Sequence, residues 1–445
     1  MNLPKEQTGI FSVKISVQNV YRICLGVFCC NLFFLFGTWL SKQTFIESAK
    51  FSVQLIIVLL DLTNENIVAS WYASMLYFSI AIIAFLCFLI DNQHSETLAN
   101  KVFNSLWIII SAIFFTLSFD EMGSFHEVIG ETALLKKLGD GISTGWYLFY
   151  AFIAIIGLIM LLFFFVKFRR YKIVLSLSFI GVILLLSNPL QEQYEMSSWQ
   201  NAPNPATWKR PMLFLLIEEG SEIFASFFLF VSFIVYLLKK RTVSSVGQMF
   251  IKMEFALSKH FLGYQVFTLI ALGILMQVVY HFPWTISGRS DTGLPQNWFP
   301  CIASFSAFII CLYFDFSFKK KMGFLRSIYI ILAFVCLSTS IYFGSNMYYY
   351  DTTFIAKIKF MLFGAIILIG TIAILEFKGY IIRVLILGWI TFFALSIYCS
   401  DFNATVCGYV SFSFLLIAFL LHYKRLLLLK EGYHYIVLFF PFFLI

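Results

Sequence analysis

Residues 68–90 read VASWYASMLYFSIAIIAFLCFLI, a run of 23 residues without one charged side chain. At the helical rise of 1.5 Å per residue this run is about 34 Å long, enough to cross a hydrocarbon core of ~30 Å. It is bounded by Asp61-Leu-Thr-Asn-Glu65-Asn66 on one side and by Asp91 on the other. Working outward, comparable apolar runs recur at about 23–40, 104–124, 146–166, 173–190 and 211–238, then at about 262–281, 298–318, 327–345, 354–375, 380–400 and 404–422. Composition agrees. Of 445 residues 60% are hydrophobic and only 12% charged, too few to solvate the surface of a soluble globule this large. The expected fold is all-α, a polytopic integral membrane bundle of about 12 transmembrane helices with a short C-terminal apolar tail at 432–445.

The net charge of +8 could indicate nucleic-acid binding, but the basic residues fall in short clusters between apolar runs. Their alternation sets topology instead. Lys5, Lys14 and Arg22 precede the first run, and Lys167, Arg169, Arg170, Lys172, Lys239, Lys240 and Arg241 then fall on the same side. This reading places the N-terminus in the cytoplasm and the protein in the cell inner (plasma) membrane. It divides the chain into a cytoplasmic segment at 1–22, a six-helix membrane half at 23–240, a cytoplasmic connector at 241–261 and a second membrane half at 262–445. A short interfacial helix is expected at about 51–60, before the second span. The nine cysteines show no C-x-x-C spacing, which argues against a zinc or redox motif.

Ionisable residues inside apolar helices carry the functional information, because each costs roughly 2.5–3.5 kcal/mol at a helix centre unless paired, hydrated or bound to a metal. Two such groups stand out. The third span ends in Ser118-Phe-Asp120-Glu121-Met-Gly-Ser124-Phe-His126-Glu127, and the sixth contains Glu218-Glu219-Gly-Ser221-Glu222. At 100° per residue, Asp120, Ser124 and Glu127 fall within about 60° on one face, and Glu218, Glu219 and Glu222 within about 100° on the other. Both groups come out in the outer half of the bilayer, together with Asp61, Glu65, Glu192 and Glu195 near the span ends.

So many carboxylates at one depth cannot all remain ionised and unpaired. A divalent metal ion is the expected cofactor, held by Asp120, Glu127, Glu218 and Glu222, with His126, Glu121 and Glu219 as catalytic groups moving protons. Hard oxygen donors with one imidazole suit Mg, Ca, Mn, Fe or Zn. The competing reading is a helix–helix hydrogen-bond network of protonated carboxyls with Ser and Tyr partners, and for Glu127, Glu131, Glu192 and Glu195 a role as solvated helix caps.

On these residues the chain resembles uncharacterised bacterial multi-pass membrane proteins with an S-x-D-E…H-E segment, matched by Ser118, Asp120, Glu121, His126 and Glu127. The same group has an E-E-G-x-E segment, matched by Glu218, Glu219, Gly220 and Glu222. The turn from Asp61 to Asn66, ahead of Trp71, is similar as well, and the resemblance covers about residues 55–240 without implying an activity. A weaker likeness is to alkaline ceramidase-like membrane hydrolases. There an acidic turn ahead of a span binds a cation and Ser, His and Asp residues surround zinc, which would implicate Asp61–Asn66 and the Ser118–His126 run. His281, His422 and His434 stand singly in this sequence.

The function expected from the sequence is a metal-dependent enzyme acting on a lipid or lipid-linked substrate, with membrane lipids as surroundings and no nucleic-acid partner. Three alternatives share the same residues. One is a proton- or cation-coupled transporter. Another is a multi-span glycosyl transferase using Asp61 or Glu65. The last is a membrane subunit of a larger assembly.

Overall fold

The computed structural model describes residues 9–43, 54, 57–64, 67–93, 95–123, 142–200, 210–245 and 248–257, with single helical positions at 337, 341, 387, 388 and 391. His126, Glu127, the six runs between 262 and 422 and the tail at 432–445 lie outside these residues. Strand β1 (Gly9–Ser16) leads into α1 (Val17–Ser41), followed by α2 (Val68–Gln93), α3 (Leu98–Asn104), α4 (Leu106–Gly123), α5 (Ile142–Phe168), α6 (Lys172–Gln200) and α7 (Met212–Arg241). Strands β2 (Thr242–Ser245) and β3 (Gln248–Leu257) follow, paired antiparallel from Thr242 with Ile251 to Ser245 with Gln248. Residues 15–251 form one compact unit, and residues 1–14 with 252–445 form another.

Among the described residues five helices are long and apolar enough to cross a membrane: Val17–Ser41, Val68–Asn92, Leu98–Glu121, Lys172–Gln191 and Met212–Lys240. A shorter apolar helix covers Ile153–Phe168. This is a membrane-embedded helical unit, in the form hydrocarbon demands, because a helix satisfies its backbone groups within its own segment. Short polar punctuation sets the joints. Thr97 caps α3 by accepting a hydrogen bond from the Asn100 amide, while the Ser105 amide donates back to Lys101, so α3 and α4 are separated by one residue.

Helix α2 is central: 78% of its apolar window is buried, against 22% for α1. It packs on α4 and on α7, while α7 in turn packs on α6 and α1, and α6 on α5. At one end of the unit Trp107 is fully buried, ringed by Phe163, Phe164, Phe168, Phe233 and Tyr236 from α5 and α7, with centroid distances of 5.1–6.2 Å. Such edge-to-face and offset contacts add to the dispersion energy of close packing. Leu25, Phe33 and Phe36 on α1, Leu158 and Leu162 on α5, and Ile173 and Ile183 on α6 face outward instead, as lipid-facing side chains do.

Small residues let α6 and α7 approach closely. The hydroxyls of Ser178 and Ser232 lie 2.6 Å apart, and a Cβ on Gly181 would stand 2.6 Å from Leu229 Cγ and 3.0 Å from the Ala225 carbonyl oxygen. The second contact is backbone and cannot rotate away. Gly181→Val is therefore expected to lower stability by about 1–3 kcal/mol, the usual range for overpacking. Thermal unfolding in detergent checks it, and a variant as stable as wild type would show that the α6–α7 seam has slack.

The expected fifth span at about 173–190 coincides with the membrane-length part of α6, Lys172–Gln191. The helix continues through Pro189 to Gln200. Side chains on the neighbouring turn explain the continuation: Asn188 Oδ1 accepts from Ser221 Oγ at 2.6 Å, and Gln191 Nε2 donates to Ser187 Oγ at 3.0 Å and Ser221 Oγ at 3.2 Å. These bonds tie the segment around the proline to α7, offsetting the helix hydrogen bond that proline cannot make.

Candidate functional site

The acidic residues divide into two groups at opposite ends of the unit. One end is built on the turn after the short helical segment at 57–59. Asp61 is 1% exposed, and its carboxylate is saturated by protein donors. Oδ2 accepts from Ser41 Oγ and Lys42 Nζ, both at 2.7 Å, and from Asn64 Nδ2 at 3.1 Å, while Oδ1 accepts from the Thr63 amide at 3.1 Å and Thr63 Oγ1 at 2.8 Å. The last two contacts are an Asx turn, which is why Asp and not Glu heads this loop. Thr38 adds a second tie by accepting the Leu62 amide at 2.9 Å. This turn closes the loop onto the end of α1, with the Lys42 ammonium as the cationic partner of the Asp61 carboxylate.

On α7 the three glutamates have different surroundings. Glu218 is ion-paired to Arg210, which also binds Glu195 of α6 at 2.7 Å and 3.0 Å. Glu195, read from the sequence as a solvated cap, is thus half of a clamp that pins the start of α7 to α6. Glu222 accepts a 2.9 Å hydrogen bond from the Tyr77 hydroxyl of α2. Glu219 takes neither a hydrogen bond nor an ion pair among the described residues, yet it feels the charges of Glu222, Arg210, Asp61 and Lys42.

Tyr77 decides how the third-span and sixth-span acids meet. The sequence expects the two acidic groups to come together at one depth, and α2 packs against both α4 and α7. Tyr77 is 2% exposed, and its phenol lies within electrostatic reach of Glu121 on α4 as well as bonded to Glu222 on α7. Close by, Ser74 donates to the Ser118 carbonyl at 2.6 Å and lies 3.0 Å from its hydroxyl, locking α2 to the end of α4 where half-buried Asp120 and Glu121 sit. A second polar stitch runs from α7 through α1 to α2: Asn31 Nδ2 donates to the Ile223 carbonyl at 3.1 Å, and Tyr72 donates to Asn31 Oδ1 at 2.6 Å.

The other end of the unit centres on Asp91, which the sequence reading passed over as the start of a loop. Its carboxylate pairs with Lys167 of α5 at 2.7 Å and receives Trp107 Nε1 at 3.0 Å and the Tyr236 hydroxyl at 2.8 Å, with Lys240 of α7 at 3.7 Å. Lys167 also donates to Asn104 Oδ1 at 2.6 Å, and Asn104 donates back to the Asp91 carbonyl at 3.1 Å. Four helices meet on one carboxylate. A signal for it was available in the sequence: an aspartate at the end of an apolar run whose topology puts Lys167 and Lys240 on the same side. Tyr77, Asn31 and Tyr72 carried a weaker one, being polar groups inside otherwise apolar helices.

Of the residues expected at the metal, Glu218 is committed to Arg210, Glu222 accepts from Tyr77, Asp120 lies on α4, and Glu127 is outside the described residues with His126. Among the described residues no three His, Cys, Asp or Glu side chains converge as a metal site would require. What the arrangement can do is hold charge unevenly: Asp61, Glu195 and Glu218 have cationic partners, Glu222 accepts from a neutral phenol, and Glu219 has no direct partner among the described residues.

No curated protein and no solved structure matches the chain. Residues 24–237, the stretch carrying Asp61, Tyr77, Asp91, Glu121 and the three glutamates of α7, match a family described as Domain of unknown function (DUF8692).

Proposed function

We propose that this protein is a proton- or cation-coupled membrane transporter in which Glu219 is the carboxyl that changes its charge. The observation that carries the reading is the isolation of Glu219. Half-buried in a membrane-length helix, it has no hydrogen-bond or ion-pair partner among the described residues, between a carboxylate at Glu222 and the paired charges Arg210 and Lys42. A group meant only to hold helices together would be paired, because an unpaired carboxyl in an apolar surround costs several kcal/mol. One meant to load and unload a proton or cation has to be available.

The full architecture under this reading is about twelve spans in the inner membrane. Lys167, Lys172, Lys239 and Lys240 mark the Asp91 end as cytoplasmic, the N-terminus lies on that side, and the acids of α4 and α7 lie toward the outer face. The metal-dependent enzyme reading depends on His126 and Glu127 completing a site with Asp120.

Reconstituted proteoliposomes separate the two. With a pH-sensitive dye inside and an imposed potassium diffusion potential, wild type is expected to carry protons above the protein-free rate. Glu219→Gln should lower that flux at least about tenfold, since a neutral amide cannot load a proton. Elemental analysis of the same preparation should find no stoichiometric divalent metal. Equal flux in wild type and variant, or metal bound in wild type and lost in Asp120→Asn, sinks the transport reading.

A further inference from the structure

Helices α5 and α6 are joined through Arg169, Arg170 and Tyr171, and the turn is closed by the Tyr171 amide donating to the Phe168 carbonyl at 2.7 Å. Its tip is anchored to α7. The rings of Phe168 and Tyr171 lie 4.9 Å and 5.8 Å from that of Tyr236, whose hydroxyl is held by Asp91. Lys240 Nζ stands 5.6 Å from the centre of the same Tyr236 ring. The end of α7, with exposed Lys239 and Lys240, therefore lies beside the tip, where Arg169, Arg170 and Lys172 are exposed as well. The carboxylate at this corner, Asp91, is buried and committed to Lys167, Trp107 and Tyr236. Among the described residues Arg169, Arg170, Lys172 and Lys239 form no ion pair.

What flanks these cations says what they meet. Phe165 and Val166, one turn before Arg169, and Ile173, directly after Lys172, are exposed apolar side chains of apolar helices. A soluble polyanion would meet a cationic patch in a polar surround, whereas a phospholipid presents acyl chain and phosphate in the order found here. We propose that the α5–α6 tip is a binding site for an anionic phospholipid, its phosphate held by Arg169, Arg170 and Lys172 with Lys239 beside them, and its acyl chains laid along Val166 and Ile173. The net charge selects the headgroup. A zwitterionic lipid brings an ammonium that the surrounding cations repel, while an anionic one matches them, and a guanidinium grips phosphate through two parallel N–H bonds. Topology asks only that positive residues lie on this side of the membrane. It does not ask that they gather on a turn packed against the end of a second helix. The site lies at the Asp91 end of the unit, away from Glu219, and stands apart from the transport reading.

The test is thermal unfolding of the full-length protein in maltoside micelles titrated with dioleoyl phosphatidylglycerol. The lipid is expected to raise Tm saturably, as a ligand bound only to the folded state must, while dioleoyl phosphatidylcholine and free glycerol phosphate leave it unmoved. Each cation near an anionic headgroup strengthens binding about fivefold, so Arg169→Gln/Arg170→Gln should weaken the apparent affinity for phosphatidylglycerol by about tenfold or more. Both side chains are exposed, so Tm without lipid should stay at the wild-type value. Arg22→Gln/Lys101→Gln removes the same charge from exposed positions on α1 and α3 and should weaken binding by less than about threefold, the part owed to long-range attraction. Should the arginine variant unfold early without lipid, Lys172→Gln reads the same site, with about fivefold weaker binding expected. The proposal is overturned if phosphatidylcholine acts as phosphatidylglycerol does, or if both double variants lose affinity equally, which is the mark of diffuse surface charge. Unchanged affinity in Lys172→Gln, or a Tm rise with glycerol phosphate as large as with the lipid, overturns it as well, the latter in favour of a soluble phosphate.

Discussion

Asp91→Ala is expected to cost about 3–5 kcal/mol of stability, the range for removing one partner of a buried ion pair. The loss arises less from the missing attraction than from what stays behind. Lys167, whose side chain is 14% exposed, keeps its charge and loses its counterion, while Trp107 Nε1 and the Tyr236 hydroxyl lose the acceptor they share. Lys240 is 38% exposed and 3.7 Å away, so it rehydrates, and Lys240→Met is expected to change stability by no more than about 1 kcal/mol. The decisive comparison is a pair of variants. Adding Lys167→Met to Asp91→Ala removes the stranded charge and should recover a large part of the loss, giving a coupling energy that independent sites would not show. Thermal or denaturant unfolding in detergent measures all four proteins. If the double variant is as damaged as the sum of the singles, Asp91 stabilises the unit by packing and not by charge.

The physics that made the helices legible is the same that hid the site. In hydrocarbon the backbone must be satisfied within each segment, so a run such as 68–90 declares itself by composition alone, and the described helices fall where the runs do. Side-chain partners across helices are not constrained that way. Asp91 meets Lys167 and Tyr236, and Glu222 meets Tyr77, only because α2 stands in the middle of the unit, and nothing in a sequence without visible repeats says which helix is central. Helical periodicity put Glu218, Glu219 and Glu222 on one arc, but it could not assign Arg210 to the first, Tyr77 to the third and, among the described residues, no direct partner to the second. Past the fifth span, α6 runs through Pro189 to Gln200, tied to α7 by the Asn188–Ser221 hydrogen bond, a contact that no run of apolar residues announces.

Asp61→Ala is the second large effect expected, about 3 kcal/mol, at the lower edge of the buried-pair range because its cation is partly wet: Lys42 is 36% exposed against 2% for the Asp61 side chain. The comparison with Asp61→Asn separates the two jobs of this carboxylate. Asparagine supports an Asx turn as well as aspartate does, so it keeps an oxygen for the Thr63 amide and hydroxyl. It then turns an amide N–H toward Lys42 and the Asn64 amide, donors facing a donor, while Ser41 turns its hydroxyl hydrogen to the Thr38 carbonyl at 2.8 Å. If the turn alone mattered, Asp61→Asn would match wild type. The geometry instead predicts a loss of roughly half that of alanine, and Lys42→Met, which leaves Asp61 its four neutral donor groups, should lose only about 1 kcal/mol. Thermal unfolding of the three variants reads the series. A cation-binding turn would behave otherwise, with stability that follows added calcium or magnesium and an Asp61→Asn protein that loses the response. Because Asp61 already holds an ammonium ion and two hydroxyls, divalent salts should leave wild-type Tm unmoved beyond their ionic strength, which returns the burden of chemistry to Glu219, the neighbouring carboxyl within its field.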